Sequence, residues 1–430
     1  MRGHRTRTLT TAACLTTAAC LTTAACLITT ACLLAAHSLA APPSAVAEPA
    51  GGRWLTSWAQ SQQSLAPQTL DNQSIRMITH LSQGGPALRV RLQNEYGTTP
   101  LTIDAAAAGI SAGQGAVVPG TSRLLRFHGR PAVTVPIGGE VWSDPVPLPT
   151  RAQDDLAVSL HLRGQSRPSA HQAALRENYL TPAGSGDRVH DPAPYPLKTG
   201  STYLVSAVDV RTTQAGGTVV AYGSSVVDGH GSTSCGPGCT AVNRRWTDDL
   251  ARRANELPSP QRFAVANAGI GGTTSAATCP LTPPPVADLH GLARLDRDVL
   301  SLHGVTAVIY YYGTNDLAFG CRAPAILDSY RAVFARLRAA DIKIHAVPIT
   351  PRPGYTAQQN RDRAEINAFV RTGGNCAGAC DSVLDFDQVL RDPTNPNTIR
   401  AGYDSGDGIH ANQAGHAAMA NAVPLPLTAD

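Results

Sequence analysis

From residue 51 to about residue 210 the chain runs in short segments whose apolar and polar positions alternate. Ser74-Ile75-Arg76-Met77-Ile78-Thr79-His80 is one such run. Ala87-Leu88-Arg89-Val90-Arg91-Leu92 and Leu156-Ala157-Val158-Ser159-Leu160-His161-Leu162 are others. A period of two sends successive side chains to opposite faces of a strand, and clean alternation marks antiparallel sheets with one face in solvent. Gly84-Gly85, Glu95-Tyr96-Gly97 and Pro136-Ile137-Gly138-Gly139 punctuate the runs as turns. The pattern predicts an all-β domain over residues 51–210, closed as a sandwich or jelly roll.

After Gln214-Ala215-Gly216-Gly217 the period changes. Thr218–Tyr222, Phe263–Ala268, Val305–Tyr312, Ile342–Ile349 and Ser382–Phe386 read as buried strands. Between them Ile326, Tyr330, Val333, Phe334 and Leu337 share one helical face. Ile366, Phe369 and Val370 share another before Gly373-Gly374 stops the helix. Strand–helix alternation predicts an α/β domain over 218–426, with a parallel sheet covered on both faces. Ligands of such sheets bind beyond the carboxyl ends of the strands, so reactive residues are expected just after each apolar run. Thr282-Pro283-Pro284-Pro285 reads as a surface loop.

Residues 1–47 belong to neither domain. Arg2, Arg5 and Arg7, a repeated Leu-Thr-Thr-Ala-Ala-Cys unit and Ala45-Val46-Ala47 as a small-x-small cleavage site read as a secretory signal peptide. The alternative is a retained anchor, but so many threonines make a poor spanning helix. The expectation is a secreted monomer with no stable membrane insertion once the signal is cleaved. Removing the three N-terminal arginines takes the formal charge from +4 to +1. A nearly neutral chain gives no electrostatic case for nucleic acid or an anionic membrane as partner. Six of the ten cysteines lie beyond residue 47. An even number in an exported chain points to disulfides, and proximity favours Cys235–Cys239, Cys279–Cys321 and Cys376–Cys380. The two C-x-x-x-C pairs are the alternative metal site. No His stands at finger-like spacing, so no metal is expected.

Four motifs stand at four strand ends: Gly223-Ser224-Ser225-Val226-Val227-Asp228-Gly229, Asn267-Ala268-Gly269-Ile270-Gly271-Gly272, Gly313-Thr314-Asn315-Asp316 and Asp407-Gly408-Ile409-His410. Each alone has an ordinary explanation as a turn or a cap. Together they supply what acyl transfer needs: a nucleophile, a base, an orienting acid and donors for a developing oxyanion. A serine in a tight strand-to-helix turn presents its hydroxyl at the sheet edge. A glycine lets a backbone N–H approach a substrate, and an asparagine amide adds a neutral donor. A His three residues after an Asp can give Nδ1–H to the carboxylate and keep Nε2 for the serine proton. The carboxylate is expected to raise the pKa of that His.

The order of these motifs resembles the SGNH (GDSL-like) hydrolases over roughly residues 218–423. Asn243-Arg244-Arg245-Trp246 and Tyr403-Asp404-Ser405-Gly406-Asp407 also resemble an actinomycete-type secreted subgroup with an N-terminal β-rich domain. The resemblance implies a three-layer, flavodoxin-like α/β/α domain and a serine esterase. It implies Ser225 as nucleophile, His410 as base and Asp407 as its orienter. The oxyanion hole would be Ser225 N–H, Gly272 N–H and the Asn315 amide. The family's usual Gly-Asp-Ser is here Gly223-Ser224-Ser225, so Ser224 is expected to brace the nucleophile turn only in part.

The leading expectation is hydrolysis of an acyl or acetyl ester of a lipid, sugar or natural product. An acyltransferase with the same triad is one alternative. The other is a degenerate carbohydrate- or wall-binding protein, for which Trp54, Trp58 and Trp142 could line a sugar face. No phosphate loop, dinucleotide fingerprint or Gly-x-Ser-x-Gly elbow is present, so no cofactor is expected.

Overall fold

The computed structural model describes residues 51–234, 239 and 242–427. The expected signal peptide lies outside the described residues. The described residues belong to one compact unit. Among the described residues no helix is long and apolar enough to cross a membrane.

The first half is built of antiparallel sheets. One has the strand order Arg53–Ala59, Val205–Thr212, Ala87–Gln93, Glu140–Trp142. In a second, Leu70–His80 pairs with Asp155–Ser166, which pairs in turn with Leu101–Gly113, and a third, small sheet has the order Thr202–Tyr203, Ser169–His171, Ser64–Leu65. The facing sides of the first two enclose one apolar core that includes Ile75, Met77, Leu88, Val90, Leu160 and Val208. The alternation anticipates one solvated face, but Leu70–His80 and Asp155–Ser166 are buried on both sides over most of their length. Tyr179 and Tyr195 lie over the outer face, in a small cluster with Ile78 and Ala157. Arg76, read as an outward residue, stacks 3.8 Å from the Tyr195 ring centre and donates to the carbonyls of Gly115, Asp191 and Ala193.

The second half is a five-stranded parallel sheet in the order Arg262–Gly269, Ala215–Gly223, Val305–Tyr311, Lys343–Ala346, Ser382–Val383. The last two strands are shorter than the apolar runs suggest. Val347 still donates to the Tyr310 carbonyl at 3.0 Å, residues 348–350 leave the ladder, and Phe386 already begins the helix Phe386–Leu390. The helix Ala323–Ala339 buries the anticipated face: Ile326, Tyr330, Val333, Phe334 and Leu337. Trp246 and Leu250 of the helix Trp246–Glu256 bury against the opposite side of the sheet. Pro284–Ala287 is a short exposed helix and not a plain loop. The strand Ala215–Gly223 has neighbours on both sides that follow it in sequence. Its carboxyl end is therefore the point where strand order reverses and a crevice opens.

The halves meet through polar contacts. Asp209 is fully buried and accepts from Thr56 Oγ1 at 2.8 Å and Arg89 Nε at 2.9 Å, and His303 Nδ1 lies 2.8 Å from its carboxylate. Arg297 reaches from the second half to the Gln62 carbonyl at 3.0 Å and to Glu95 at 3.1 Å, while its Nε holds Asp298 at 2.7 Å. Asp298 also holds the buried Arg294 at 2.9 Å. Trp54 and Trp142 flank Arg89 at 4.7 Å and 5.0 Å, and Trp142 meets the His303 ring edge-on at 4.9 Å. These two tryptophans pack at the junction and do not form a sugar platform.

Removing one partner of a buried ion pair typically costs about 3–5 kcal/mol. Arg294→Met is expected to lower unfolding free energy by an amount of that order in urea denaturation followed by circular dichroism. A loss under about 1 kcal/mol would mean that the Arg294–Asp298 pair does not hold this junction.

Candidate active site

The strand Ala215–Gly223 runs directly into the four-residue helix Ser225–Asp228. The turn requires glycine at its entry, because a Cβ on Gly223 would fall 2.2 Å from the Tyr311 carbonyl oxygen. Several groups hold the helix in place. Asn267 Nδ2 donates to the Val227 carbonyl at 2.7 Å, Trp246 Nε1 to Val226 at 3.0 Å, and Arg245 Nε to Asp228 at 2.7 Å. Arg294 donates to the Gly223 carbonyl at 2.7 Å. The Ser224 hydroxyl is buried and makes no hydrogen bond. It therefore contributes none of the bracing expected of it.

Asp407 and His410 approach from the last loop before the helix Gln413–Ala422. Asp407 Oδ1 accepts the backbone N–H groups of Ile409 and His410, both at 2.8 Å, which fixes the carboxylate within its own turn. Its Oδ2 lies 2.6 Å from His410 Nδ1, and His410 Nε2 lies 2.8 Å from Ser225 Oγ. An ionised carboxylate only accepts, so Nδ1 carries the proton and Nε2 is the acceptor for the serine hydroxyl. Asn412 caps the following helix, its side chain accepting from Gly415 N at 3.0 Å.

Burial alone would raise the Asp407 pKa, but hydrogen bonds from the His410 side chain and from the His410 and Ile409 backbones bring it down to about 2. His410 moves opposite to expectation. Burial lowers its pKa and outweighs the Asp407 carboxylate, and the nearby charges of His230 and Arg352 push the same way. The His230 and His410 ring centres are 5.3 Å apart.

The remaining motifs face the same point. Gly271 lies over Ser225: a Cβ there would sit 3.9 Å from Ser225 Cβ and 3.3 Å from His230 Nε2. Gly272 has φ +80°, a conformation that side-chain-bearing residues rarely adopt. Asn315 begins in the first turn of the helix Thr314–Ala318. Arg352 Nη1 donates to its Oδ1 at 3.2 Å, while its Nδ2 donates to the Thr273 carbonyl at 3.0 Å. Since a guanidinium only donates, Arg352 selects the amide rotamer and leaves a second Nδ2 hydrogen available. Asp316, next to it, is fully buried and accepts the backbone N–H groups of Ser275 at 3.0 Å and Ala276 at 2.8 Å. Burial raises its pKa to about 6 despite those bonds. The glycine loop and the asparagine helix are thus tied together.

Ser225, His410, Asp407, Gly272 and Asn315 therefore lie in one region. Sequence reasoning missed Arg352, His230 and Asp316. Asp316 stood beside Asn315 in the motif and His230 directly after Gly229, whereas Arg352 carried no signal. Among the described residues no cluster of three or more His, Cys, Asp or Glu is placed to hold a metal. Disulfides join Cys279 to Cys321 and Cys376 to Cys380. The expected Cys235–Cys239 pair includes Cys235, which lies outside the described residues.

Residues 221–418 match the GDSL-like lipase/acylhydrolase family, and this part of the chain is a domain of that family, a serine ester hydrolase. Solved structures similar to it include a GDSL-like lipase from Bacteroides thetaiotaomicron, at 17% identity over 47% of this chain and 84% of the other, with a TM-score of 0.33. A member of the lipolytic G-D-S-L family from Veillonella parvula matches at 15% identity over 48% and 94%, TM-score 0.35. An acetylxylan esterase from Geobacillus stearothermophilus matches at 18% identity over 49% and 93%, TM-score 0.35. No curated protein matches the chain.

The Cys279–Cys321 bond ties the loop after Gly272 to Cys321, three residues past the end of the Asn315 helix. The double variant Cys279→Ser/Cys321→Ser is expected to lose ester hydrolysis at least ~10-fold, since small misplacements of positioned donors are costly. The Cys376→Ser/Cys380→Ser pair closes a short loop and should leave the rate within about two-fold. Steady-state rates of both, assayed on one p-nitrophenyl ester, compare them. Equal rates would show that the longer bridge does not shape the site.

Proposed function

We propose that the chain is a secreted esterase that forms an acyl-serine intermediate on Ser225. The observation that carries this reading is the Asp407–His410–Ser225 chain of contacts, at 2.6 Å and 2.8 Å. His410 Nε2 takes the Ser225 proton as Oγ attacks the ester carbonyl, and Asp407 stabilises the imidazolium that forms. Ser225 N–H, Gly272 N–H and the second Asn315 amide hydrogen receive the oxyanion. The imidazolium then returns the proton to the leaving alcohol, and water repeats the sequence to release the acid.

A cleft of about 630 Å³ between the halves, lined by polar and apolar residues alike, is the candidate place for the alcohol part of the ester. Its lining includes Gln63, Ser64, Tyr96, Gln172 and Pro285. Val286, on the same short helix as Pro285, is the nearest neighbour that a Cβ on Gly272 would meet, at 3.7 Å. Disulfides are in keeping with an oxidising, extracellular setting.

A fluorophosphonate probe is expected to label Ser225 and leave Ser224 untouched, read by peptide mapping. Ser225→Ala should lower kcat by on the order of 10⁴-fold or more, and Asn315→Ala by about 10²–10³-fold. Label on Ser224, or an Asn315→Ala enzyme of parental rate, would refute these roles.

The pH profile follows from the His410 shift. The base works only when neutral, and burial holds its pKa below the ordinary value of about 6.5. Activity should rise as pH climbs through a midpoint below about 6.5 and then level off. Arg352→Gln removes one of the charges that lower this pKa and should move the midpoint upward. A parental midpoint above about 7 in kcat/KM profiles would contradict the direction.

A further inference from the structure

His171 belongs to the antiparallel half, in the strand Ser169–His171, and is completely buried. Its Nδ1 lies 2.8 Å from the Ser61 carbonyl oxygen. Its Nε2 lies 3.2 Å from the Ala173 carbonyl and 3.2 Å from Asp228 Oδ1. All of these partners only accept. Both ring nitrogens must therefore carry hydrogen, and the side chain is an imidazolium. Its counter-ion, Asp228, is the last residue of the helix that begins with Ser225, and it too is buried. The same stretch of the antiparallel half makes a second grip. Arg245 donates through one nitrogen to the Ala174 carbonyl and through Nε to the Asp228 carbonyl.

We infer that His171 is a positioning residue for ester hydrolysis. As a buried cation supplied by the antiparallel half, it holds the Ser225–Asp228 helix in reacting geometry through Asp228. This rests on the reading of Ser225 as nucleophile. It also answers what braces the turn when the acid before the serine is missing. The Ser224 hydroxyl bonds to nothing, and the anionic anchor lies at the other end of the helix, on Asp228. The remaining Asp228 oxygen faces His230 Nε2 at 3.5 Å, and His230 stands beside His410. Loss of the His171 charge thus disturbs both the nucleophile and the surroundings of the base.

The groups facing this pair are Ser61 and Ala173 carbonyls on the antiparallel half, and His230 and Arg245 on the catalytic half. No other carboxylate is within ion-pair reach of His171 among the described residues. Neutralising one member strands the other's charge in the interior, whereas neutralising both does not.

The test is a cycle of His171→Gln, Asp228→Asn and the double variant in the full chain. Each is assayed on p-nitrophenyl acetate, with rates divided by the sites a fluorophosphonate titrates. Each single variant is expected to lose kcat by at least ~10-fold per titrated site with KM changed less than about two-fold. The double variant should recover part of the rate lost by the worse single. A parental kcat per titrated site in both singles, even with lowered melting temperature, would leave His171 a purely structural residue and overturn the inference. If neither single folds, the double decides: a parental kcat overturns the inference, and a reduced kcat at parental KM upholds it. Absence of probe label on Ser225 in the parent would instead remove the nucleophile assignment on which the inference rests.

Discussion

The architecture depends on one buried guanidinium. Arg294 donates through Nη1 to the Ala268 carbonyl at 2.7 Å, and through Nη2 to the Gly223 carbonyl at 2.7 Å and to the Tyr312 hydroxyl. Those groups stand at the ends of the three neighbouring strands that lead into the glycine loop, the serine turn and the asparagine helix. A charge this deep is tolerable only with a counter-ion, and Asp298 supplies it. Asp298 is shared with Arg297, which reaches across to Gln62, Tyr96 and Glu95 of the antiparallel half. The register of the catalytic strand ends and the docking of the halves thus share one set of charges.

That concentration of polar groups exists because the strand ends come too close together for ordinary side chains. A Cβ on Gly269 would fall 2.2 Å from Asp228 N, and one on Gly313 would fall 2.4 Å from Ile349 Cδ1. Backbone amides and carbonyls fill the space instead. They must be paired with each other or with Arg294, Asp316 and Asn267. The donors proposed for an oxyanion are what this crowding leaves facing the crevice.

The fold was legible wherever burial has a simple period. The strands from Arg262 and Val305 and the helix Ala323–Ala339 face apolar neighbours along their length, so composition marks them. The last two strands were overread, because Pro348 and Ile349 are buried past the end of the ladder. The antiparallel half was readable as strands but not in its wrapping. Arg76 looks like a solvent position and is covered by chain roughly a hundred residues away in sequence, a contact with no local signature. The site divides in the same way. Ser225, Asn315 and His410 stand in short motifs of special turn residues. Arg294 and Arg352 act by reaching distant carbonyls, and nothing around them in the sequence reports what they reach. The assumption that a carboxylate partner must raise the pKa of His410 failed for a related reason. It counted the local pair and left out burial and the distant cations.

The electrostatics of that base follow from the same assembly. His230 is placed beside His410 by the turn that ends the serine helix, its N–H bonded to the Ser225 carbonyl at 3.1 Å. Arg352 is placed by the loop after the fourth strand, where it also orients Asn315. Both lower the pKa of His410 while Asp407 works against them. A base with a lowered pKa stays neutral further into the acid range, but it draws a proton from serine less strongly. Asp407 partly restores that pull where it matters, because its carboxylate strengthens its bond to the ring as the imidazolium forms. Arg352 acts in the opposite sense on the base while holding the amide that would meet the oxyanion. One cation therefore weakens the proton acceptor in the ground state and supports the negative charge created by attack. The balance between those effects sets how far the arrangement favours the transition state over the resting ester.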